Sequence, residues 1–306
     1  MRVAIAIPHF FKPDGEGQHG SVRDDAAARA QALTRCLTTL HANLGTRQFG
    51  FYYSDHMEFQ MANQPAHLDL HIFVCTRGGD HVLAQLAENP ELRTLFTPVS
   101  VACEHPKLLG FECHKVLAER LGDYDYYCYL EDDLIIHDPY FFRKLQWFTS
   151  QMGDRCLLQP NRFEIMESPM GQKAYIDAAF ETVMDPSQGY AQDFTENRTL
   201  NGVFLGQPIQ FERAGNPHSG CFFLNRAQME YWVEQPFFGT PETWFIGPLE
   251  SAASLDMIKA FRVYKPSPTN ANFLEIQHDG QWQSQFLMEN HAQLMLISRV
   301  PETDGV

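Results

Sequence analysis

Three adjacent carboxylates, Glu131, Asp132 and Asp133, stand inside the run Tyr126-Tyr-Cys-Tyr-Leu-Glu-Asp-Asp-Leu-Ile-Ile136. Both flanks read as buried strand. Like charges this close repel, and burying an unpaired carboxylate costs several kcal/mol or forces it to take up a proton. In extended backbone, residues two apart point the same way, so Glu131 and Asp133 share one side and Asp132 faces the other. Two hard oxygen donors on one side suit a divalent cation such as Mg²⁺ or Mn²⁺, which can in turn hold a diphosphate. The plainer alternatives are a helix cap and a solvent-facing turn. Asp138-Pro139 weakens the first, because it already supplies an N-cap and a first-turn proline for the next helix.

The elements that must position these acids follow from periodicity. Residues 3–8, VAIAIP, form an apolar run closed by proline and read as a buried first strand. The Gly-bearing stretch GEGQHGS follows, and Ser21 with Asp24 matches a capping box with Asp in place of Glu. Ala26, Ala30, Leu33, Leu37, Leu40 and Leu44 recur at helical spacing, with Gly45 as the stop. Residues 46–66 show no clear period and suggest an insertion. Residues 68–76 predict a second strand, after which Asp80 caps a short helix ending near Glu88. Residues 98–102 predict a third strand, 111–121 a helix, and 157–160 a further strand. The region 161–217 suggests long loops near a site. CFFLNRAQMEYWV predicts strand then helix, and Pro248–Ala260 a further helix. Strands alternating with helices predict an α/β fold with a mainly parallel sheet. In such sheets ligand chemistry gathers at the carboxyl ends of strands, where the triplet lies.

The 306 residues are 44% hydrophobic and 20% charged, which suits a globular chain with a sizeable core. Acids outnumber bases 38 to 23, for a formal charge of −15, which argues against a general nucleic-acid or anionic-membrane binder. The seven cysteines show no C-x-x-C spacing and read as buried thiols in a reducing compartment. No apolar run reaches the ~20 residues of a membrane span and no signal peptide is evident, so the expectation is a cytoplasmic, soluble protein.

The order of these motifs resembles the GT-A glycosyltransferases, which carry a D-x-D or similar acidic motif at this place. The likeness rests on a first strand ending in Ile7-Pro8, on residues 108–133, on HSGCFFLNR at 218–226, and on WFIGPLESAASLDMIKAFRVYKP at 244–266. The last of these is similar to the helix that holds the base in inverting members. The resemblance implies a GT-A-like, Rossmann-type mainly parallel sheet flanked by helices. It implies one catalytic unit over 1–306, with a nucleotide-binding half to about 135, an acceptor half to about 280 and a tail over 281–306. It implies an inverting sugar transfer from a UDP- or GDP-type nucleotide-sugar donor to a glycan or small-molecule acceptor, with Mn²⁺ or Mg²⁺. Asp133 would ligate the metal, with Glu131 or Asp132 helping toward metal or ribose. Pro8, His9 and Phe10 would line the nucleotide, Glu250 would be the general base, and His278 would complete the metal site. Lys107, His114 and Lys115 are further candidates to meet phosphate. The chain departs from the pattern in three places: Glu-Asp-Asp for Asp-x-Asp, Ser251 after Glu250, and Cys75-Thr76 where many members have an acid.

Two other functions compete. A nucleotidyltransferase on a related fold would want a basic, Gly-rich phosphate loop directly after the first strand. Here the Gly-bearing stretch comes late and lies beside Asp14 and Glu16. A non-catalytic nucleotide- or glycan-binding protein would keep the cleft, hold a donor, and never hydrolyse it.

Overall fold

The structure is a computed structural model and describes residues 1–13, 25–52, 58–168, 171–177 and 197–289. Its centre is the first strand, β1 (Arg2–Pro8), whose residues from Val3 onward are all buried. Alternation sends Val3, Ile5 and Ile7 to one core, and Ala4 and Ala6 to a second on the opposite face. A strand buried on both faces reads as a continuous apolar run, as this one does. The first core is closed by helix α1 (Ala26–Leu44) through Leu33, Leu37 and Leu40, each buried side chain contributing about 1.5–3 kcal/mol. Asp25 caps α1, its side chain accepting from the Ala28 N–H at 2.6 Å, and Gly45 ends it. The expected cap pair, Ser21 and Asp24, and the stretch GEGQHGS lie outside the described residues.

The chain next makes a hairpin, β2 (Phe49–Tyr52) with β3 (Glu58–Met61), in place of the unpatterned insertion expected there. Phe49, Phe51, Phe59 and Met61 are exposed, so this hairpin has no core-facing side to give it a burial pattern. Strand β4 (Asp69–Thr76) pairs parallel with β1 from Arg2↔Asp69 to Pro8↔Cys75. The one-turn helix α2 (Leu83–Leu86) follows, without a side-chain cap: Asp80 pairs with Arg77 at 3.2 Å instead of capping it. Next come β5 (Thr97–Ser100), helix α3 (Leu109–Ala118) and β6 (Tyr126–Leu130).

These strands form a five-stranded sheet ordered β13-β6-β1-β4-β5, parallel except at the edge strand β13 (Cys221–Asn225). The chain runs outward from β1 through β4 to β5, then returns to the other side of β1 as β6. That reversal opens a crevice between the carboxyl ends of β1 and β6, where open α/β sheets bind ligands. The acidic triplet occupies it.

Beyond the triplet the chain leaves the parallel sheet. β7 (Leu134–Ile135) precedes helix α4 (Phe141–Met152) and β8 (Cys156–Leu158). Asp138 does supply the turn before α4, accepting from the Tyr140 N–H at 2.8 Å. The described residues of the region expected to be long loops are mostly strand: β9 (Asn161–Ser168), β10 (Gly171–Tyr175), β11 (Thr199–Phe204) and β12 (Gln207–Arg213). Its hairpins leave most side chains at the surface, so composition looked loop-like where backbone pairing made sheet. After β13 come helix α5 (Arg226–Val233), helix α6 (Pro248–Ala260), β14 (Arg262–Pro266), β15 (Glu275–His278) and helix α7 (Trp282–Glu289). Two four-stranded sheets result, ordered β10-β9-β15-β7 and β11-β12-β14-β8. The whole is a mixed α/β fold with its parallel sheet flanked by helices, as the sequence predicted. All seven cysteines are free thiols, and among the described residues no helix is long and apolar enough to cross a membrane.

Candidate functional site

The acidic turn is pinned from two sides. Glu131 N–H donates to Gly220 O at 2.9 Å, and Asp279 N–H donates to Asp133 O at 2.8 Å. Gly220 has a φ of +65°, and a Cβ there would fall 2.7 Å from Glu131 Oε2 and 2.9 Å from Leu134 Cδ1. Glycine meets both demands, a left-handed backbone and a close approach to the acid.

Asp132 turns inward. Arg29 Nη2 on α1 donates to both of its oxygens, at 2.5 and 2.6 Å. His9 Nδ1 bonds Asp132 Oδ2 at 2.5 Å, while Val82 N–H donates to His9 Nε2 at 3.3 Å. The ring proton therefore sits on Nδ1 and is given to Asp132. Burial alone would raise the Asp132 carboxyl, but the Arg29 charge and the hydrogen bonds from His9 and Arg29 outweigh it and lower its pKa to about 2. Both residues had been expected to meet metal, ribose or nucleotide. The structure buries them against each other, where they lock β1, α1 and the acidic turn together.

Glu131 and Asp133 are disposed differently, as the two-residue spacing predicted. Among the described residues, each keeps one buried oxygen without a hydrogen-bond partner, Oε1 of Glu131 and Oδ1 of Asp133. Burial, and then the charges of Asp133 and Glu250, push Glu131 well above the usual carboxylate range. Asp133 Oδ2 lies 3.7 Å from Arg29 Nη1 and 3.8 Å from His278 Nε2.

His278 reaches this point by register. It is the last residue of β15 and pairs with Leu134, the residue after the triplet. Its Nδ1 bonds Glu164 Oε1 on β9 at 2.9 Å. Burial works against its protonation, but the Asp133 charge and the Glu164 hydrogen bond outweigh it, and its pKa is raised. Arg35 anchors the next residue, bonding Asp279 Oδ2 at 2.8 and 2.5 Å.

Glu250 stands in the first turn of α6, where an acid also suits the helix dipole. Its charge reaches Glu131, so α6 delivers it to the same region. The approach of α6 to α3 depends on Gly110, where a Cβ would lie 2.6 Å from that of Ala252. Pro8 is buried at the end of β1, and Phe10 keeps exposed surface while packing on the second core. Of the phosphate candidates, His114 lies in the core: it bonds Ala252 O at 3.0 Å, and burial lowers its pKa to about 3. Lys115 is paired with Glu112 at 2.7 Å, and Lys107 is exposed.

Sequence reasoning missed Arg29, Glu164 and Arg162. Arg29 had a signal: it lies four residues before Leu33, on the apolar stripe of α1, and a charge there demands a buried partner. Arg162 and Glu164 sit two apart on β9 and so share a side of the strand. Arg162 pairs with Asp177 at 2.8 Å, Lys265 pairs with the same acid at 2.7 Å, and the Arg162 charge partly offsets that of Glu131. Nothing local in the sequence announced this group.

Among the described residues, no three His, Cys, Asp or Glu side chains are gathered closely enough to close a metal shell unaided. In kind the donors fit a hard cation. Two carboxylates with unpartnered buried oxygens, and one imidazole beside them, form a region whose acid repulsion a cation would relieve. A concavity of about 480 Å³ lined by Thr38, Arg47, Pro90 and Leu95 contains none of these residues.

No protein-family model matches the chain, and no curated protein matches it by sequence. Among solved structures the fold is similar to S. aureus TarS, at 8% identity and a TM-score of 0.45 over 97% of this chain. It is similar to the TarS 1–349 fragment at 9% identity and a TM-score of 0.43, again over 97%. It is similar also to GalNAc-T7, solved with UDP, GalNAc and Mn²⁺, at 12% identity and a TM-score of 0.47 over 90% of the chain. The chain spans 40% of TarS, 66% of the fragment and 43% of GalNAc-T7.

Proposed function

We propose that this chain is a metal-dependent glycosyltransferase of the GT-A type, moving a sugar from a nucleoside-diphosphate donor to an acceptor hydroxyl with inversion. The observation that carries the reading is the pair of unpartnered buried oxygens on Glu131 and Asp133, at the reversal of strand order, with His278 brought alongside by the β15–β7 register. Asp133, Glu131 and His278 would hold the cation, with the imidazole tilting the preference toward Mn²⁺ over Mg²⁺. When bound, it would neutralise the charge that builds on a diphosphate leaving group.

The chain's own residues supply the rest. Asp132, with Arg29 and His9 around it, fixes the turn so that its two neighbours need not reorganise. Phe10 offers an aromatic edge to the nucleotide beside Pro8. Glu250 takes the acceptor proton as its hydroxyl oxygen attacks the anomeric carbon, and the nucleoside diphosphate departs from the opposite face. Residues up to about 135 form the nucleotide half and those to about 280 the acceptor half. The seven free thiols suit a reducing compartment.

Thermal unfolding with Mn²⁺ and a panel of nucleoside diphosphates tests this, in the wild type and in Asp133→Asn. A ligand that binds only the native state raises the midpoint. The expected result is a rise with one nucleotide that grows when Mn²⁺ is present, and that gains nothing from Mn²⁺ in Asp133→Asn. No rise with any nucleotide, in folded protein, would sink the transferase reading. A rise with no donor turnover would favour the non-catalytic binder.

A further inference from the structure

We infer that Glu164 is a positioning residue: it aims His278 at Asp133 and couples docking of helix α7 to cation binding. The inference rests on the proposed metal site and adds a residue and a linkage that the proposal does not contain. Glu164 is fully buried, with a relative exposure of 0%, and both of its oxygens are used. Oε1 takes the bond from His278 Nδ1 at 2.9 Å. Oε2 takes the backbone N–H of Ser284, in the first turn of α7, at 2.7 Å.

A carboxylate only accepts, so the proton of that imidazole bond belongs to Nδ1. Nε2 is then the atom left to face the acids, and it is the one that lies 3.8 Å from Asp133 Oδ2. A ligating histidine commonly gives its other ring N–H to a carboxylate, which fixes the tautomer and the ring direction. Glu164 meets that description from a strand, β9, which is itself paired parallel with the histidine's strand, β15, through Gln277↔Phe163. A strand-borne partner cannot swing away as a loop residue could.

The second oxygen makes the link to the tail. Ser284 N–H belongs to the first turn of α7, where backbone donors have no partner inside the helix. Glu164 satisfies it from the core, and Ser284 is buried at 1% exposure. One carboxylate is thus shared between a candidate ligand and the start of a helix. Anything that tightens one of these bonds orders the group that the other needs. Linkage then makes the effect reciprocal: a docked α7 favours the cation, and the cation favours a docked α7.

The experiment uses the full chain with Mn²⁺ alone as the probe. Mn²⁺ binding is followed by the electron paramagnetic resonance signal of the free ion, in the wild type, Glu164→Gln, Glu164→Leu and His278→Gln. Glu164→Gln keeps an acceptor for Nδ1–H but sets an amide against one of its two donors. Glu164→Leu removes both bonds. The expected result is Mn²⁺ affinity weaker by roughly 10- to 100-fold in Glu164→Leu, with Glu164→Gln between it and the wild type.

Two readouts separate this from a general structural loss. The ¹⁵N shifts of the His278 ring, assigned by their loss in His278→Gln, should report the Nδ1–H tautomer in the wild type and a mixture in Glu164→Leu. Hydrogen exchange at Ser284 should slow when Mn²⁺ is added to the wild type, and not in Glu164→Leu. If Glu164→Leu does not fold, the Glu164→Gln comparison stands by itself. Wild-type binding with unchanged affinity and tautomer in the Glu164 variants would overturn the positioning role. Unchanged exchange at Ser284 on Mn²⁺ binding would overturn the coupling. Failure of the wild type to bind Mn²⁺ at any concentration would overturn the metal reading, and this inference with it.

Discussion

Replacing Arg29 by methionine tests the proposed architecture of the acidic turn most directly. Methionine is a comparable helix former, so the α1 backbone is left alone. What is lost is the cation that meets both oxygens of Asp132, in a pair whose side chains are 9% and 7% exposed. Breaking a buried ion pair from one side costs about 3–5 kcal/mol, because the other charge stays buried. His9 still bonds Asp132, so the cost should fall near the lower end, about 3 kcal/mol. Against a total of about 5–15 kcal/mol, that lowers the guanidinium midpoint clearly while leaving a folded protein. Adding Asp132→Asn removes the stranded charge, so the double variant should be less destabilised than the sum of the singles, by at least about 1.5 kcal/mol.

The pH profile supplies a second arm. Asp132 is depressed from 3.8 to about 2 in the folded state. Its contribution is present above the unfolded value and lost as pH falls through the folded one, which corresponds to roughly 2 kcal/mol between about pH 4 and 2. Arg29→Met should flatten that acid limb. Denaturant unfolding at pH 7, and again across the acid range, reads both effects. Singles that add within about 0.5 kcal/mol, with an unchanged acid limb, would refute the claim that this pair holds the turn.

Three further outcomes follow from the same geometry. Gly220→Ala forces a Cβ into a left-handed position and against Glu131, and should destabilise by about 1–3 kcal/mol in urea unfolding. Glu250→Gln should lower the rate of sugar transfer by roughly 10²- to 10⁴-fold while leaving nucleotide and Mn²⁺ binding intact, checked by turnover beside calorimetry. Asp256 is raised from 3.8 to about 6, because burial outweighs the Trp232 hydrogen bond and Lys259. The folded state therefore holds a proton that the unfolded state releases, and stability falls as pH rises from about 4 to 6. Asp256→Asn keeps an acceptor for the Trp232 N–H and should remove that fall, gaining about 1–2 kcal/mol at pH 7 by denaturant midpoint.

Local rules fixed much of this molecule in advance. The apolar runs of β1, β4 and β6 announced strands buried on both faces, because alternation and β-rich composition are properties of a few adjacent residues. The Pro248–Ala260 helix was legible to the residue from its proline and its spacing. The opposite facing of Asp132 and its two neighbours was legible from the two-residue period alone. Even Arg29 left a mark, as a charge on an apolar stripe, though the stripe could not name its partner.

Only the folded chain decided who meets whom. Asp132 and Arg29 are 103 residues apart, and His278 and Glu164 are 114 apart. No local period encodes contacts at such distances, which depend on the whole packing to offset the entropy of closing the chain. His9 shows the consequence. From the sequence it was a residue at the end of a strand, which the resemblance set beside the nucleotide. The structure gave its Nδ1 to Asp132 and its Nε2 to Val82, and so spent it on holding the acids in place. The sequence required that the three carboxylates be compensated. Tertiary structure compensated one of them internally, through Arg29 and His9 brought from distant elements, and among the described residues left a buried oxygen on each of the other two without a hydrogen-bond partner.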